Sequence, residues 1–255
     1  MVGDPLGDKT ETHHETLKHR VKSHKWISRV FGIVRPPDFK LDLVGSGKRK
    51  RFSEIIEEFR INGFVLNVGS GPKNDGNLSG LSNRILDRTI GFDFIHQPGI
   101  DFRADVARIP LKNNSVAGVL FQGVLEHIYD PAAALQEIER VLVPGGVVYV
   151  EAPFLQHFHS DPIDLRRYTT DGLDHEMRAF EKVESGVLYG PSAVVADVLS
   201  EYVAVLSRSA LWYWMAKVVM GWLMFAFKFI DVFLIKKPQS KFLCFGVYYL
   251  GRKRI

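Results

Sequence analysis

Between residues 60 and 155 short apolar runs alternate with stretches whose apolar positions recur every three or four residues. "FVLNV" (64–68), "TIGFDF" (89–94), "VAGVLF" (116–121) and "GVVYVEA" (146–152) are almost continuously apolar and rich in β-formers, as parallel strands buried on both faces must be. Between the last two, "DPAAALQEIERVLVPGG" puts Leu135, Ile138 and Leu142 on one helical face. Asp130 can cap that helix, Pro131 suits its first position, and Gly145 and Gly146 follow its end. "FSEIIEEFR" predicts a helix leading into the first strand. The alternation predicts an α/β fold, a doubly wound sheet.

The flanks read differently. Residues 1–23 are polar and carry His13, His14 and His19, and in "HKWISRVFGIVRPP" Trp26, Ile27, Val30, Phe31 and Val34 recur at helical spacing until Pro36 and Pro37. Residues 1–50 are therefore expected to be a polar tail with a short docking helix, and 51–255 the folded domain. Within it, 190–240 stand out as an insert. "PSAVVADVLSEYVAVLSRS" predicts an amphipathic helix with Asp197 and Glu201 one turn apart, and "ALWYWMAKVVMGWLMFAFKFIDVFLIKK" (210–237) is dense in Trp, Phe and Met.

Composition narrows the function. With 255 residues and 46% hydrophobic content the chain can bury one sizeable core. The net charge of +4 is mild, and its basic residues gather at 18–25, 48–51 and 252–254 rather than along one helix, so no nucleic-acid partner is expected. A lone cysteine, Cys244, and an amino terminus without an apolar leader predict a cytoplasmic setting. The amino-terminal histidines, and His157 with His159, lack a second cluster at ligand spacing; no metal is predicted.

The first strand breaks into "VLNVGSGPKNDG" (65–76). Gly69, Ser70 and Gly71 let the backbone approach a ligand beyond the carboxyl ends of the strands, where such sheets bind. A dinucleotide fingerprint would want a third glycine at Asn74. Asp93 ends the second strand about 20 residues on, where a carboxylate can take both hydroxyls of a ribose. Asp105 follows a short third strand and suits an adenine edge. Together these describe a nucleoside pocket.

Through "VLNVGSGP", "GFDF" and "RADVARIPLKNNSVAGVLFQGVLEHIYDPAAALQEIERVLVPGGVVYVEAPF" the chain resembles the class I S-adenosylmethionine-dependent methyltransferases, of the type 11 kind, over residues 60–175. The resemblance implies a seven-stranded Rossmann-like sheet, with 180–189 as its sixth strand and 242–254 as its antiparallel seventh. It implies S-adenosylmethionine as cofactor, held by Asn67, Gly69, Ser70, Gly71, Asp93, Phe94, Asp105, Val106 and, beside the sulfonium, Gln122. Asn67 replaces the family's usual acid, and Lys73 a frequent third glycine.

The acceptor side is read from "EAPFLQHFHSDPIDLRRYTTDGL" after the 146–152 strand, too polar for core. His159 is the candidate base with Asp164 to orient it, and His127 of "VLEHI" a further catalytic candidate. His157, Asp161, Arg166, Arg167 and Tyr168 are the candidate substrate contacts. The bland alternative is a loop held by its own ion pairs. The spacing resembles a subgroup tied to glycan or lipid-linked sugar pathways, which implies O-methylation of a small-molecule, sugar or lipid-linked acceptor. Rival readings are a weak pseudo-methyltransferase serving as a membrane-bound module, a nicotinamide oxidoreductase, and a nucleic-acid methyltransferase, for which an added basic domain is missing.

The insert is expected to lie on a membrane's cytoplasmic face without crossing it. A single crossing would part the strands at 180–189 and 242–251, and Lys217 inside a span would cost roughly 2.5 to 3.5 kcal/mol. Lys217 and Lys228, eleven residues apart, are read as one polar stripe, with Lys236, Lys237, Arg252, Lys253 and Arg254 facing anionic headgroups. The alternative is a helical cap that buries these aromatics on the sheet or in a dimer.

Overall fold

A computed structural model describes residues 40–72, 78–159 and 163–255; the predicted docking helix, Lys73, Asn74 and Asp161 lie outside them. Seven strands form one sheet in the order β3-β2-β1-β4-β5-β7-β6. They are β1 (Phe64–Val68), β2 (Thr89–Asp93), β3 (Phe102–Arg103), β4 (Val116–Gln122), β5 (Leu142–Pro153), β6 (Glu181–Tyr189) and β7 (Gly246–Arg252). Only β7 runs antiparallel, between β5 and β6. The four runs singled out by their apolar pattern are β1, β2, β4 and β5, and the seven-stranded Rossmann-like sheet is as expected.

Successive residues of each central strand feed opposite layers. Leu66, Val68, Val119, Phe121, Val148 and Val150 pack with Leu135, Ile138 and Val141 of α3 (Pro131–Val141). Val65, Ala117, Leu120, Val147 and Tyr149 pack with Phe52, Ile55 and Ile56 of α1 (Gly45–Glu58). Each such fully buried side chain contributes roughly 1.5 to 3 kcal/mol, and these two layers are the core. At Gly118 an added Cβ would lie 2.5 Å from the Phe52 ring, so glycine is what lets α1 sit down on the sheet. A short α2 (Asn83–Leu86) is capped by Ser82, and α4 (Thr170–Glu176) by Thr169.

Two boundaries differ from the sequence pattern. Asp130 caps α3 through the Ala133 amide at 3.1 Å, as predicted. The helix stops at Val141, however, and Leu142 is already paired with Val116, so Gly145 and Gly146 sit in an irregular strand start. Second, α1 begins at Gly45, which draws the basic "GSGKRKR" into the domain instead of the tail. Its Arg49 is fully buried: the guanidinium meets Glu151 at 2.7 Å, Asp42, and the Ser79 carbonyl at 2.7 Å.

The insert folds into α5 (Pro191–Ala204), α6 (Ala210–Met224), a 3₁₀ turn (Phe225–Ile230), α7 (Asp231–Leu234) and a second 3₁₀ turn (Pro238–Phe242). Buried Asp231 accepts from the Ser192 and Ala193 amides, 2.9 and 3.3 Å, and so caps α5 where Gly190 offers no side chain. The single polar stripe is not formed. The helix breaks at Phe225, Lys217 turns inward to Glu201, and Lys228 stays 4.2 Å from the Phe225 ring centre. Among the described residues no helix is long and apolar enough to cross a membrane.

Replacing Arg49 with Met strands the buried Glu151 carboxylate, and is expected to lower stability by about 3 to 5 kcal/mol, with partial recovery on adding Glu151→Gln. Urea unfolding measures both; equal midpoints for Arg49→Met and the parent would contradict the role assigned to the pair.

Candidate active site

The carboxyl ends of β1, β2, β3 and β4 open into a cavity of about 680 Å³. Gly69 and Gly71 leave β1 with φ of 62° and 65°, left-handed conformations that glycine adopts without strain. The turn is held from β2: Asp93 accepts the Gly71 amide at 3.1 Å through one oxygen and the Ile95 amide at 3.0 Å through the other. Each carboxylate oxygen keeps a further lone pair, so Asp93 can still take two hydroxyls. Phe94, Asp105 and Val106 complete the wall, and Asp105 is oriented by the Ala107 amide at 2.9 Å.

Six of the nine predicted cofactor residues, Gly69, Gly71, Asp93, Phe94, Asp105 and Val106, thus line one cavity. The other three do not. Asn67 is buried in β1, its Nδ2 without a partner among the described residues, and Ser70 is buried with its amide on the Phe92 carbonyl. Gln122, expected beside the sulfonium, lines a second cavity of about 260 Å³. Gly123, Val124, Ile128 and Tyr129 also line the larger one and were missed; the loop after β4 was read for its histidine alone.

The smaller cavity lies between the ends of β5, β6 and β7, among Gln122, Glu126, Glu151, Gln156, Tyr189 and Phe245. Gly123 and His159 border both cavities, so this is where they meet. His127 faces the larger one, its Nδ1 on the Ile163 carbonyl, and its Nε2 lies 3.8 Å from Glu126 Oε1. His159 Nε2 is also 3.8 Å from that oxygen. Burial pushes the Glu126 carboxyl up to about 7 and the His159 imidazole down, which keeps His159 neutral at neutral pH.

Asp164 is bound chiefly elsewhere. Burial would raise its carboxyl, but the ion pair with Arg167 and the His159 amide at 2.8 Å hold it at about 2. Its Oδ2 lies 3.5 Å from His159 Nδ1, outside a formed hydrogen bond.

The predicted substrate contacts serve the loop instead. His157 gives its amide and Nδ1 to Asp197 at 2.9 and 2.6 Å. Arg166 clamps the Ile128 and Tyr129 carbonyls, Arg167 holds Asp164 and the Gln156 and His157 carbonyls, and Tyr168 is buried in the core. None of these four is among the residues lining either cavity. The partners of His157, Arg166 and Arg167 lie within or beside the loop, so these side chains shape it, while the buried Tyr168 hydroxyl has no partner among the described residues. Loop residues reaching the cavities are Gln156, His159 and Ile163.

Residues 85–150 match the family described as methyltransferase domain. The chain is similar to a Mycolicibacterium smegmatis protein named as a probable S-adenosylmethionine-dependent methyltransferase, 34% identical over 99 residues, 35% of this chain and 37% of that protein. It is similar also to a 37.1 kDa transposon protein of Streptomyces fradiae, 30% identical over 130 residues, 45% of this chain and 38% of the other. The chain thus spans under two-fifths of the length of these relatives. In fold it is similar to a candidate sarcosine dimethylglycine methyltransferase from Galdieria sulphuraria, with a TM-score of 0.50 at 13% identity over 89% of this chain and 97% of that one. The central segment thus matches a methyltransferase domain, and the sheet has the class I methyltransferase fold that the motifs implied.

A Cβ on Gly69 would fall 2.4 Å from Val124 Cγ2. Gly69→Ala is expected to cost about 1 to 3 kcal/mol, from the clash and the left-handed backbone together. A Val124→Ala background should return only the clash portion. Thermal unfolding of the four proteins tests this, and a fully neutral Gly69→Ala would refute the turn geometry.

Proposed function

We propose that the protein methylates an oxygen of a small or lipid-linked acceptor, of sugar type, with S-adenosylmethionine as donor and at a membrane surface. The observation that carries this is the meeting, at Gly123 and His159, of a nucleoside-sized cavity with a smaller one lined by both apolar and polar side chains. The residues present fit the cofactor: a glycine turn that leaves room, Asp93 with lone pairs to spare, and Asp105 and Val106 for the base. When bound, S-adenosylmethionine supplies an electrophilic methyl group. The chain's part is alignment of the acceptor oxygen across the junction, and uptake of its proton by neutral His159. Gln122, Glu151 and Gln156 supply hydrogen-bonding partners for acceptor hydroxyls.

Asp93→Ala should weaken S-adenosylhomocysteine binding by roughly 1.5 to 3 kcal/mol per bond lost. Calorimetry on the folded variant decides, and an unchanged affinity would remove Asp93 from the site.

The membrane reading rests on the insert. Trp222, Leu223, Phe229, Ile230 and Phe233 are exposed, with Tyr202, Val205 and Leu206 of α5 and Phe242. An apolar face of that extent, flanked by Lys236, Lys237 and Lys241, suits the headgroup region of an anionic bilayer. Arg252, Lys253 and Arg254 do not join it. Antiparallel β7 carries them to the amino edge of the sheet, where Arg252 pairs with Val147 and Lys253 bonds Asn114. The insert leaves the sheet after Tyr189 and returns before Gly246, two residues lining the smaller cavity. An acceptor whose tail stays in the bilayer would thus enter beside the membrane-facing surface.

With vesicles of anionic lipid the intact chain should float, and high salt should release part of it. A Trp222→Glu, Phe233→Glu variant should remain at the bottom. An intact chain that stays monomeric and lipid-free without detergent would overturn the membrane reading.

A further inference from the structure

Glu126, His127 and His159 converge where the two cavities meet: each offers a ligand atom within 4.8 Å of the others, and both Nε2 atoms lie 3.8 Å from Glu126 Oε1. With Glu126 ionised, its oxygens and His127 Nε2 are acceptors. The Ile163 carbonyl beside His127 Nδ1 can only accept, so the proton of that ring sits on Nδ1 and Nε2 presents a lone pair. The Asp164 carboxylate lies 3.5 Å from His159 Nδ1, too far for a formed hydrogen bond but on the side where a partner of that ring would stand. Glu126, 2% exposed, has its other oxygen buried with no partner among the described residues. The ligand atoms thus converge at 3.8 Å with no hydrogen bond between them, beside an unpartnered buried carboxylate oxygen, an arrangement that suits a cation.

A second group, His157, Asp197 and Glu201, has comparable spacing but is already satisfied. There His157 donates to Asp197, and Lys217 and Tyr213 donate to Glu201. The contrast sets the first cluster apart.

We propose that Glu126, His127 and His159 form a binding site for one divalent first-row transition ion, which holds the acceptor by its oxygens. Two imidazoles and one carboxylate suit such an ion, and leave coordination positions open towards both cavities. The Ile163 carbonyl and Asp164 stand where the partners of ligating imidazoles stand in metal proteins. Closing from 3.8 Å to the edges of a polyhedron with bonds of about 2.1 Å moves these side chains by less than an ångström or so. With such an ion bound, an acceptor hydroxyl on it would lose its proton to water and His159 would be a ligand; the base role of His159 belongs to the metal-free site. Acceptors with two neighbouring oxygens, as vicinal diols have, are the class that fits. The acceptor role rests on the methyltransferase reading; the metal site does not.

Zn²⁺ is the probe, titrated by calorimetry into the full chain with His13, His14 and His19 replaced by alanine. A single equivalent should bind without S-adenosylmethionine. Glu126→Gln, His127→Ala and His159→Ala should each weaken it by about 10- to 100-fold or more, while Glu201→Gln leaves it unchanged. S-adenosylhomocysteine titrated into the same proteins reads the cofactor site separately, so failure there with Zn²⁺ still bound would strike the methyltransferase reading alone. X-ray absorption of the Zn²⁺-loaded parent needs no variant, and should find two imidazoles on the ion. Absence of Zn²⁺ binding, unchanged binding in a folded His159→Ala protein, loss of binding in Glu201→Gln, or a shell without imidazole would each overturn the proposal.

Discussion

The buried ion pair between Arg49 and Glu151 is the constraint on which the acceptor side depends. A guanidinium at 0% exposure is tolerable only if its donors are all engaged. Here they meet Glu151, Asp42, Ser79 and Gln122. Those partners come from the end of β5, from ahead of α1, from the turn before α2 and from the end of β4. One side chain on α1 thereby sets the relative positions of four segments. Tyr149 adds its hydroxyl to Glu151 at 2.7 Å, and burial pushes the Glu151 carboxyl up against the pull of Arg49. Glu151 and Gln122 also line the smaller cavity, so the pair is at once a fold element and a cavity wall.

The parts legible in the sequence are those in which local pattern and tertiary role coincide. Strands buried on both faces must be apolar throughout, and β1, β2, β4 and β5 were read from that alone. The glycine turn, Asp93 and Asp105 were placed at strand ends from residue type and spacing, and the fold brings them to one cavity wall. Failures arose where a polar residue's partner is distant in sequence. Arg49 reads as part of a basic surface run until Glu151, 102 positions away, is folded against it. His157, Arg166 and Arg167 look like acceptor contacts, because composition cannot say whether a polar loop spends its side chains on a ligand or on its own carbonyls. The grouping of Glu126 and His127 with His159 escaped for the same reason: thirty-odd residues separate groups that the chain's return past β5 brings together.

The insert follows a different logic. A helix normally begins with its own cap, but α5 starts at Gly190 and Pro191 and borrows a carboxylate from Asp231, some forty residues later. An added Cβ at Gly190 would lie 2.5 Å from the Asp231 carboxyl carbon, so that close approach requires glycine. The carboxylate is stabilised by two amides and the positive end of the helix, which is how a charge survives at 2% exposure there. Ala193, Val194, Ala204, Tyr213 and Ala216 close small apolar clusters, Asp197, Glu201 and Lys217 face inward beside them, and many large apolar side chains are left exposed.

The inward-facing polar groups also connect the insert to the chemistry. Asp197 grips both the amide and the ring of His157, and His159 follows two residues later. From the other side Arg167 ties the His157 carbonyl to Asp164, which in turn holds the His159 amide at 2.8 Å. The backbone carrying His159 is therefore fixed between the insert and the loop's own ion pair, rather than by packing against the sheet alone. The insert leaves and rejoins the sheet at Tyr189 and Gly246, so it begins and ends beside the smaller cavity, which those two residues line. A side chain shared by two cavities must be held to within a fraction of an ångström to align two reactants. Hydrogen bonds from two directions supply that restraint, and one of the two originates on the insert.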